Sequence, residues 1–258
     1  MKKITSNARR DRAYLSTLGT TQIYLRSPHI VAWWSAAFPG FGHILMSKYI
    51  RGLSLFLWEV VINMNAKLNS AMVYSFTGRF EAAKDVLNTR WILLYIPVYL
   101  FAIWDSHRTT VDLNKLYLLA DHENANIANF KIQTLEINYL DKREPLVAVM
   151  WSLLMPGLGQ LYIHRVISAF FVLVWWVVLT YFSHFLQALQ LIVLGDFHQA
   201  TVIMDPQWLM FMPSVYGFAA YDTYVNTVAN NKLYKNEQRG FLRRTYQNSN
   251  FLLPQGKK

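Results

Sequence analysis

The chain contains no cysteine, which excludes a disulfide framework, a thiolate nucleophile and thiolate metal ligation. Charge is also scarce. Asp, Glu, Lys and Arg make up 16% of the 258 residues, against roughly 25% in an average soluble domain. Acidic residues are the rarer kind, 15 against 25 Lys and Arg, for a formal net charge of +10. The basic residues flank apolar runs and form no continuous stripe, so nucleic acid is not an expected partner. Phosphate-binding glycine loops of the P-loop or dinucleotide type are missing. The seven histidines include no His-Glu-x-x-His spacing, and no metal or cofactor is expected. Asp105-Ser106-His107 is a nucleophile set only as a string, because sequence neighbours on a helix do not face each other. No catalytic residue is therefore assigned. No short apolar run with a small-residue cleavage site precedes Ser27, so the first apolar segment is expected to be kept as an anchor. Lys2 stands where N-myristoylation needs glycine.

What is present is apolar and unevenly distributed. AVILMFWYC residues make up 53% of the chain, aromatics 16%, and the mean hydropathy is +0.16. The apolar residues bunch into Ile30–Met46, Leu53–Met64, Trp91–Trp104, Leu146–Ile163, Val166–Leu194 and Trp208–Tyr221. Charges collect between these runs, which is the pattern of a bilayer protein. A soluble bundle is disfavoured because Ala169–Leu194 offers water no polar face along its first half.

The apolar segments come in two series of three. Trp34-Ser35 returns as Trp151-Ser152, and Pro39-Gly40-Phe41-Gly42 returns as Pro156-Gly157-Leu158-Gly159. Asn114-Lys115-Leu116-Tyr117 returns as Asn231-Lys232-Leu233-Tyr234. At an ungapped offset of 117 residues, 25 of the 84 positions from Trp34 to Tyr117 are identical. Duplication is the economical reading, and fold reasoning starts from the repeat. The divisions expected are a basic N-terminal segment (1–28), a first repeat (29–117), a linker (118–144), a second repeat (145–234) and a basic tail (235–258). The linker spaces Ile127, Phe130, Ile132, Leu135 and Ile137 as an interfacial helix or a short connector would. Equal segment lengths predict a pseudo-twofold pair.

In each repeat the first segment is broken by Pro-Gly-x-Gly. Proline removes a helix hydrogen bond and glycine accepts positive φ, so this segment is two pieces around a turn or a kinked helix. If it does not cross, each repeat has two full spans, and the repeats lie parallel. If it does cross, the chain has six spans and inverted repeats. Lys and Arg arbitrate. With four spans, 21 lie on the inner side, and only Lys67, Arg79, Lys84 and Arg90 lie outside. Six spans give 18 against 7. Basic residues collect on the cytoplasmic side, which favours four spans, with both termini and the linker inside. The fold class expected is all-α integral membrane, in two tandem parallel repeats in the cell membrane. The basic tails are expected to meet anionic headgroups.

The Pro-Gly-(Phe/Leu)-Gly turns, Gln160-Leu161-Tyr162 and the aromatic-Asp pairs Trp104-Asp105 and Tyr221-Asp222 resemble the TM2-domain type of small membrane module. The resemblance covers most of both repeats and rests on few residues. His43-Ile44-Leu45 and Ala169 depart from it. It implies a membrane module and no catalytic chemistry.

Glu59 is the conspicuous single residue, because a carboxylate inside a span is costly and is a functional candidate by default. Asp105 and Asp222 end corresponding segments, and pairing with Lys48 and Arg165 at the preceding turn is expected of them. Pro39, Gly40, Gly42, Pro156, Gly157 and Gly159 are binding candidates if the chain transports, since interrupted helices in two halves expose backbone groups. A tight turn between packed helices is the simpler account. Two functions are carried forward. One is a non-enzymatic module that assembles with itself or with another membrane protein, using small residues such as Gly217 and Ala219 for close helix contact. The other is a small transporter or channel component with its path at Glu59 and the paired turns.

Overall fold

A computed structural model describes residues 9–123, 127, 130–134 and 136–246. Lys2, Lys3, Leu135 and the tail beyond Tyr246 lie outside the described residues. Within them the chain is mostly helical, with two small hairpins.

The first hairpin pairs β1 (Ala13–Ser16) with β2 (Gly19–Gln22). Pro28 then opens α1 (Pro28–Ala37) from an extended Ser27. Proline suits this first helical position because its missing N–H would have had no partner there. After the Pro-Gly turn come α2 (Phe41–Leu45) and α3 (Tyr49–Ala66). Lys67, in the left-handed region, breaks α3 from α4 (Leu68–Phe76). Helix α5 (Phe80–Val86) and the long α6 (Thr89–Glu123) complete the half.

The second half runs in the same order. Its elements are β3 (Phe130–Ile132), β4 (Ile137–Tyr139), α7 (Pro145–Leu154), α8 (Leu158–Tyr162), α9 (Val166–Phe182), α10 (Phe185–Val193) and α11 (Phe197–Ile203). Helices α12 (Pro206–Leu209) and α13 (Met212–Thr245) follow. Five helix starts recur 117 residues on: Pro28 and Pro145, Phe41 and Leu158, Tyr49 and Val166, Leu68 and Phe185, Phe80 and Phe197. So does the start of the first strand, Ala13 and Phe130.

Three differences from the sequence reading have physical causes. The linker is a helix end followed by a hairpin, not an interfacial helix. The two-residue spacing of Phe130 and Ile132 satisfies one face of a strand. The run Val166–Leu194 bends, because His184 adopts a left-handed conformation between α9 and α10. Among the described residues no single helix is long and apolar enough to cross a membrane. Two bent pairs meet that measure together: α5 with α6, bent by 89°, and α9 with α10, bent by 61°.

One core serves both halves. Phe41 of α2 stacks on Phe218 of α13 at 4.0 Å, and Phe38 meets Phe211 at 5.6 Å. Phe56 of α3 meets Phe171 and Trp175 of α9, each at 4.7 Å. Ring pairs of this kind add about 0.5–1.5 kcal/mol each beyond burial. At α1 and α13 the contact lacks the mate that the expected twofold would give it. Trp34 lies 5.2 Å from Tyr221. A twofold would return Trp151 to Trp104, yet these are 44% and 55% exposed.

The hairpins meet at one end of the molecule. Asn138 Nδ2 donates to Ser16 O at 2.7 Å, and Lys131 Nζ to Tyr14 OH at 2.9 Å. The far end of α6 and the latter half of α13 join the same cluster. Arg12 pairs with Asp121 at 2.7 Å, Arg10 with Glu123, and Gln22 donates to Asn230 at 2.6 Å. The two hairpins, the end of α6 and the latter half of α13 are therefore neighbours.

Candidate functional site

The two Pro-Gly-x-Gly turns are filled with protein. Gly40 has φ 101° and Gly157 φ 109°, a region that side chains rarely tolerate. Two residues on, a Cβ at Gly42 would overlap Ser35 Oγ and the Val31 carbonyl. A Cβ at Gly159 would meet Ser152 Oγ and the Ala148 carbonyl in the same way. The motif thus lets a short helix fold back onto the one before it at backbone contact. Pro39 and Pro156 are buried with them.

The two aspartates are held differently. Arg165 Nη1 donates to Asp222 Oδ1 at 3.0 Å, and Asn226 Nδ2 donates to the same oxygen at 2.8 Å. Arg165 also reaches the first half, at Ile44 O and Tyr49 OH, both 3.3 Å away. Asp105 accepts instead from Arg51 at 2.7 Å and sits 3.0 Å from His43 Nε2. Lys48, which stands where the second half has Arg165, is not its partner. The reason is reach: Arg51 extends from one turn further along α3, where the second half has the short Ser168. His43 fills the place that Gln160 takes in the second half.

Glu59 lies in α3 and is 4% exposed. Asn63 Nδ2 donates to its Oε1 at 2.9 Å, and Tyr95 of α6 lies against it. Asn63 opens a larger network at the α3–α4 break. Its Oδ1 accepts from Gln207 Nε2 at 2.8 Å and from the Asn69 N–H at 3.2 Å. Gln207 Oε1 accepts from the Ser70 N–H and hydroxyl, both at 2.9 Å. Asn69 Nδ2 donates to Gln207 O at 2.8 Å. A broken helix leaves backbone groups without intrahelical partners. Gln207, from α12 of the other half, satisfies them.

Sequence reasoning did not single out Gln207, Arg51 or His43. No local pattern marks them, because each acts on a residue 54 or more positions away. Asn114 and Asn231 carried a usable signal, since they are identical at the 117-residue offset. Asn114 Oδ1 accepts from the Arg26 N–H at 3.0 Å, while its Nδ2 donates to Arg26 O at 2.8 Å. Asn231 makes the same two bonds to Arg143, at 2.9 and 2.7 Å. Each tethers the chain leaving a hairpin to a long helix.

Among the described residues no group of three or more His, Asp and Glu is placed to hold a metal. At the hairpin end, Glu123 is held below its ordinary value. A burial contribution that raises it is outweighed by the Arg10 and Arg9 backbone N–H groups and the Arg10 guanidinium.

No protein-family model, curated protein or solved structure matches this chain.

Proposed function

We propose that this chain is an integral membrane protein of two tandem, parallel repeats, each resembling a TM2-type module, with both termini on the cytoplasmic side. Its role is non-enzymatic: it assembles with itself or with another membrane protein. The hairpin cluster supports the parallel arrangement. Inverted repeats would put the N-terminal segment and the linker on opposite faces of the bilayer, and a Ser16–Asn138 hydrogen bond could not form across it. Basic residues of that cluster, Arg10, Arg12 and Lys131 among them, lie where anionic headgroups are met.

The observation that carries the assembly reading is the closure around Glu59. A transport path needs its carboxylate beside a continuous polar cavity. Here Asn63 and Tyr95 enclose it, and Asn69, Ser70 and Gln207 spend their hydrogen bonds on each other and on the helix break. The glycine turns likewise leave their backbone against neighbouring helices rather than facing a ligand.

The second reading, a small transporter or channel component, has one observation in its favour: the only acidic side chain inside α3 lies near the seam between the halves. Reconstitution into liposomes separates the two. The expected result is no proton or ion flux above empty vesicles, together with recovery of a stable complex when the tagged chain is purified from native membranes. A flux that disappears in Glu59→Gln would reject the assembly reading.

A further inference from the structure

The contact of α1 and α2 with α13 is made in one direction only, and that leaves two complementary faces unused. In a twofold contact, residue i meeting residue j obliges j to meet i; in a head-to-tail contact it does not. Trp34 and Phe41 of the first half cover Phe218 and Tyr221 of the second, at 4.0–5.8 Å between rings. The tip of the first hairpin covers the α8–α9 turn: Gly19 bridges Arg165, the Val166 N–H donates to Leu18 O at 3.1 Å, and His164 Nε2 lies 3.0 Å from Thr17 O.

Trp34, Phe218 and Tyr221 have counterparts 117 residues away that stand open. Trp151 corresponds to Trp34, and Phe101 and Trp104 correspond to Phe218 and Tyr221. Phe218 is fully buried, whereas Phe101 is 46% exposed. Beside Phe101 runs an open groove of about 720 Å³ lined by Ser47, Lys48, Tyr49 and Ile50. That is the α2–α3 turn, the counterpart of the turn the first hairpin covers. The second hairpin does not reach it. It lies against the first hairpin and leaves Phe130, Ile132 and Ile137 exposed.

We infer that a second copy of this chain occupies the groove. Trp151 and the second hairpin of one copy cover Phe101, Trp104 and the Ser47–Ile50 turn of the next, repeating between chains the contact already made within one. The inference rests on reading the chain as a duplicated membrane module. Charge fits the match. The residue that corresponds to Gly19 is Glu136, which lies 3.5 Å from His164 Nδ1 of its own chain with half its side chain still exposed, and in the assembly it would also face Lys48, the counterpart of Arg165. A glutamate cannot approach as closely as Gly19, whose own Cβ would lie 2.7 Å from His164 O. This contact is therefore carboxylate to ammonium rather than backbone to backbone. It also gives Lys48 a role that Asp105 does not.

The absence of cysteine makes the test direct. Trp104→Cys and Trp151→Cys are made in separate chains, co-expressed with different tags, and oxidised in native membranes. A disulfide-linked dimer carrying both tags is expected, with neither variant forming a dimer alone. Lys48→Glu or Glu136→Lys should each abolish the link, and the pair should restore it in the mixed arrangement. Equal cross-linking of Trp104→Cys to itself would mean a twofold contact and overturn the proposal. So would a 30.1 kDa monomer in a nanodisc with no mixed dimer, which would leave lipid covering both faces. If no link forms but a different membrane protein is recovered in stable complex, this interface is wrong while the assembly function stands.

Discussion

Arg165 donates to Asp222 at 3.0 Å with both side chains sealed inside the protein, 4% and 0% exposed. The same guanidinium reaches Tyr49 and Ile44 in the other half, so one buried cation joins a pair within the second half to the seam. The Asp105 pair differs, because Arg51 is 48% exposed.

Equal burial would have made the two aspartates equally costly to change. The structure separates them. Asp222→Asn leaves Arg165 buried without its counter-charge, and about 3–5 kcal/mol of stability should be lost. Asp105→Asn removes charge from a pair whose arginine is half in solvent, and about 1 kcal/mol or less is expected for that ion pair. Thermal unfolding in detergent, followed by size-exclusion fluorescence, should rank Asp222→Asn well below Asp105→Asn. Equal losses would contradict the difference in burial.

The glycine turns predict a matched response. Gly42→Ala and Gly159→Ala each drive a methyl group into a serine hydroxyl and a carbonyl. Overpacking of this kind costs about 1–3 kcal/mol. Removing the obstructing hydroxyl with Ser35→Ala or Ser152→Ala should recover only part of it, since the carbonyl remains. Folded yield in detergent reads both steps. A neutral Gly42→Ala would show that the turn is looser than described.

The network at the α3–α4 break should be worth more than the carboxylate beside it. Gln207→Ala strands Asn63 and the Ser70 N–H, and each unpaired buried group costs about 1–3 kcal/mol. Glu59→Gln keeps an oxygen for Asn63 and should change stability by no more than about 1 kcal/mol. Hydrogen exchange at Asn69 and Ser70 is the local readout, and it should rise in Gln207→Ala alone. A large loss in Glu59→Gln would give the carboxylate charge a structural role that the geometry does not require.

The proposed parallel arrangement makes a topological prediction. Gln133→Cys and Gln238→Cys, both at exposed positions, should resist an impermeant thiol reagent in intact cells. Thr77→Cys and Gln199→Cys should be labelled. Labelling at Gln133→Cys with protection at Gln238→Cys is the six-span pattern and would reject parallel repeats.

Glu123 supplies a pH-dependent clasp. Its value is depressed in the folded chain by the Arg9 and Arg10 N–H groups and the Arg10 guanidinium. A depressed carboxylate contributes above its unfolded value, and the contribution fades as pH falls through the folded one. Protection of the Arg9 and Arg10 amides should therefore hold at neutral pH and vanish in acid. Glu123→Gln should expose them at every pH.

Much of the architecture was legible because it is local. Pro28, Pro145 and the Pro-Gly-x-Gly turns act on their own backbone, so their effect on helix boundaries survives without knowledge of the rest. The 117-residue offset was readable for the same reason, as it needs only the chain compared with itself. Arg51 in place of Lys48 was not readable, because reach to Asp105 depends on how α3 lies against α6. Nor was Gln207, whose partners Asn63 and Ser70 are more than 130 positions away and are brought to it only by packing. The sequence by itself determined the helical class, the breaks in the first segments and the repeated order. Tertiary structure alone decided that Trp34 of the first half is covered by α13 while Trp151 and Trp104 stay exposed. Corresponding positions in the two halves carry similar side chains, and only the relative placement of the halves selects which are buried and which stay free.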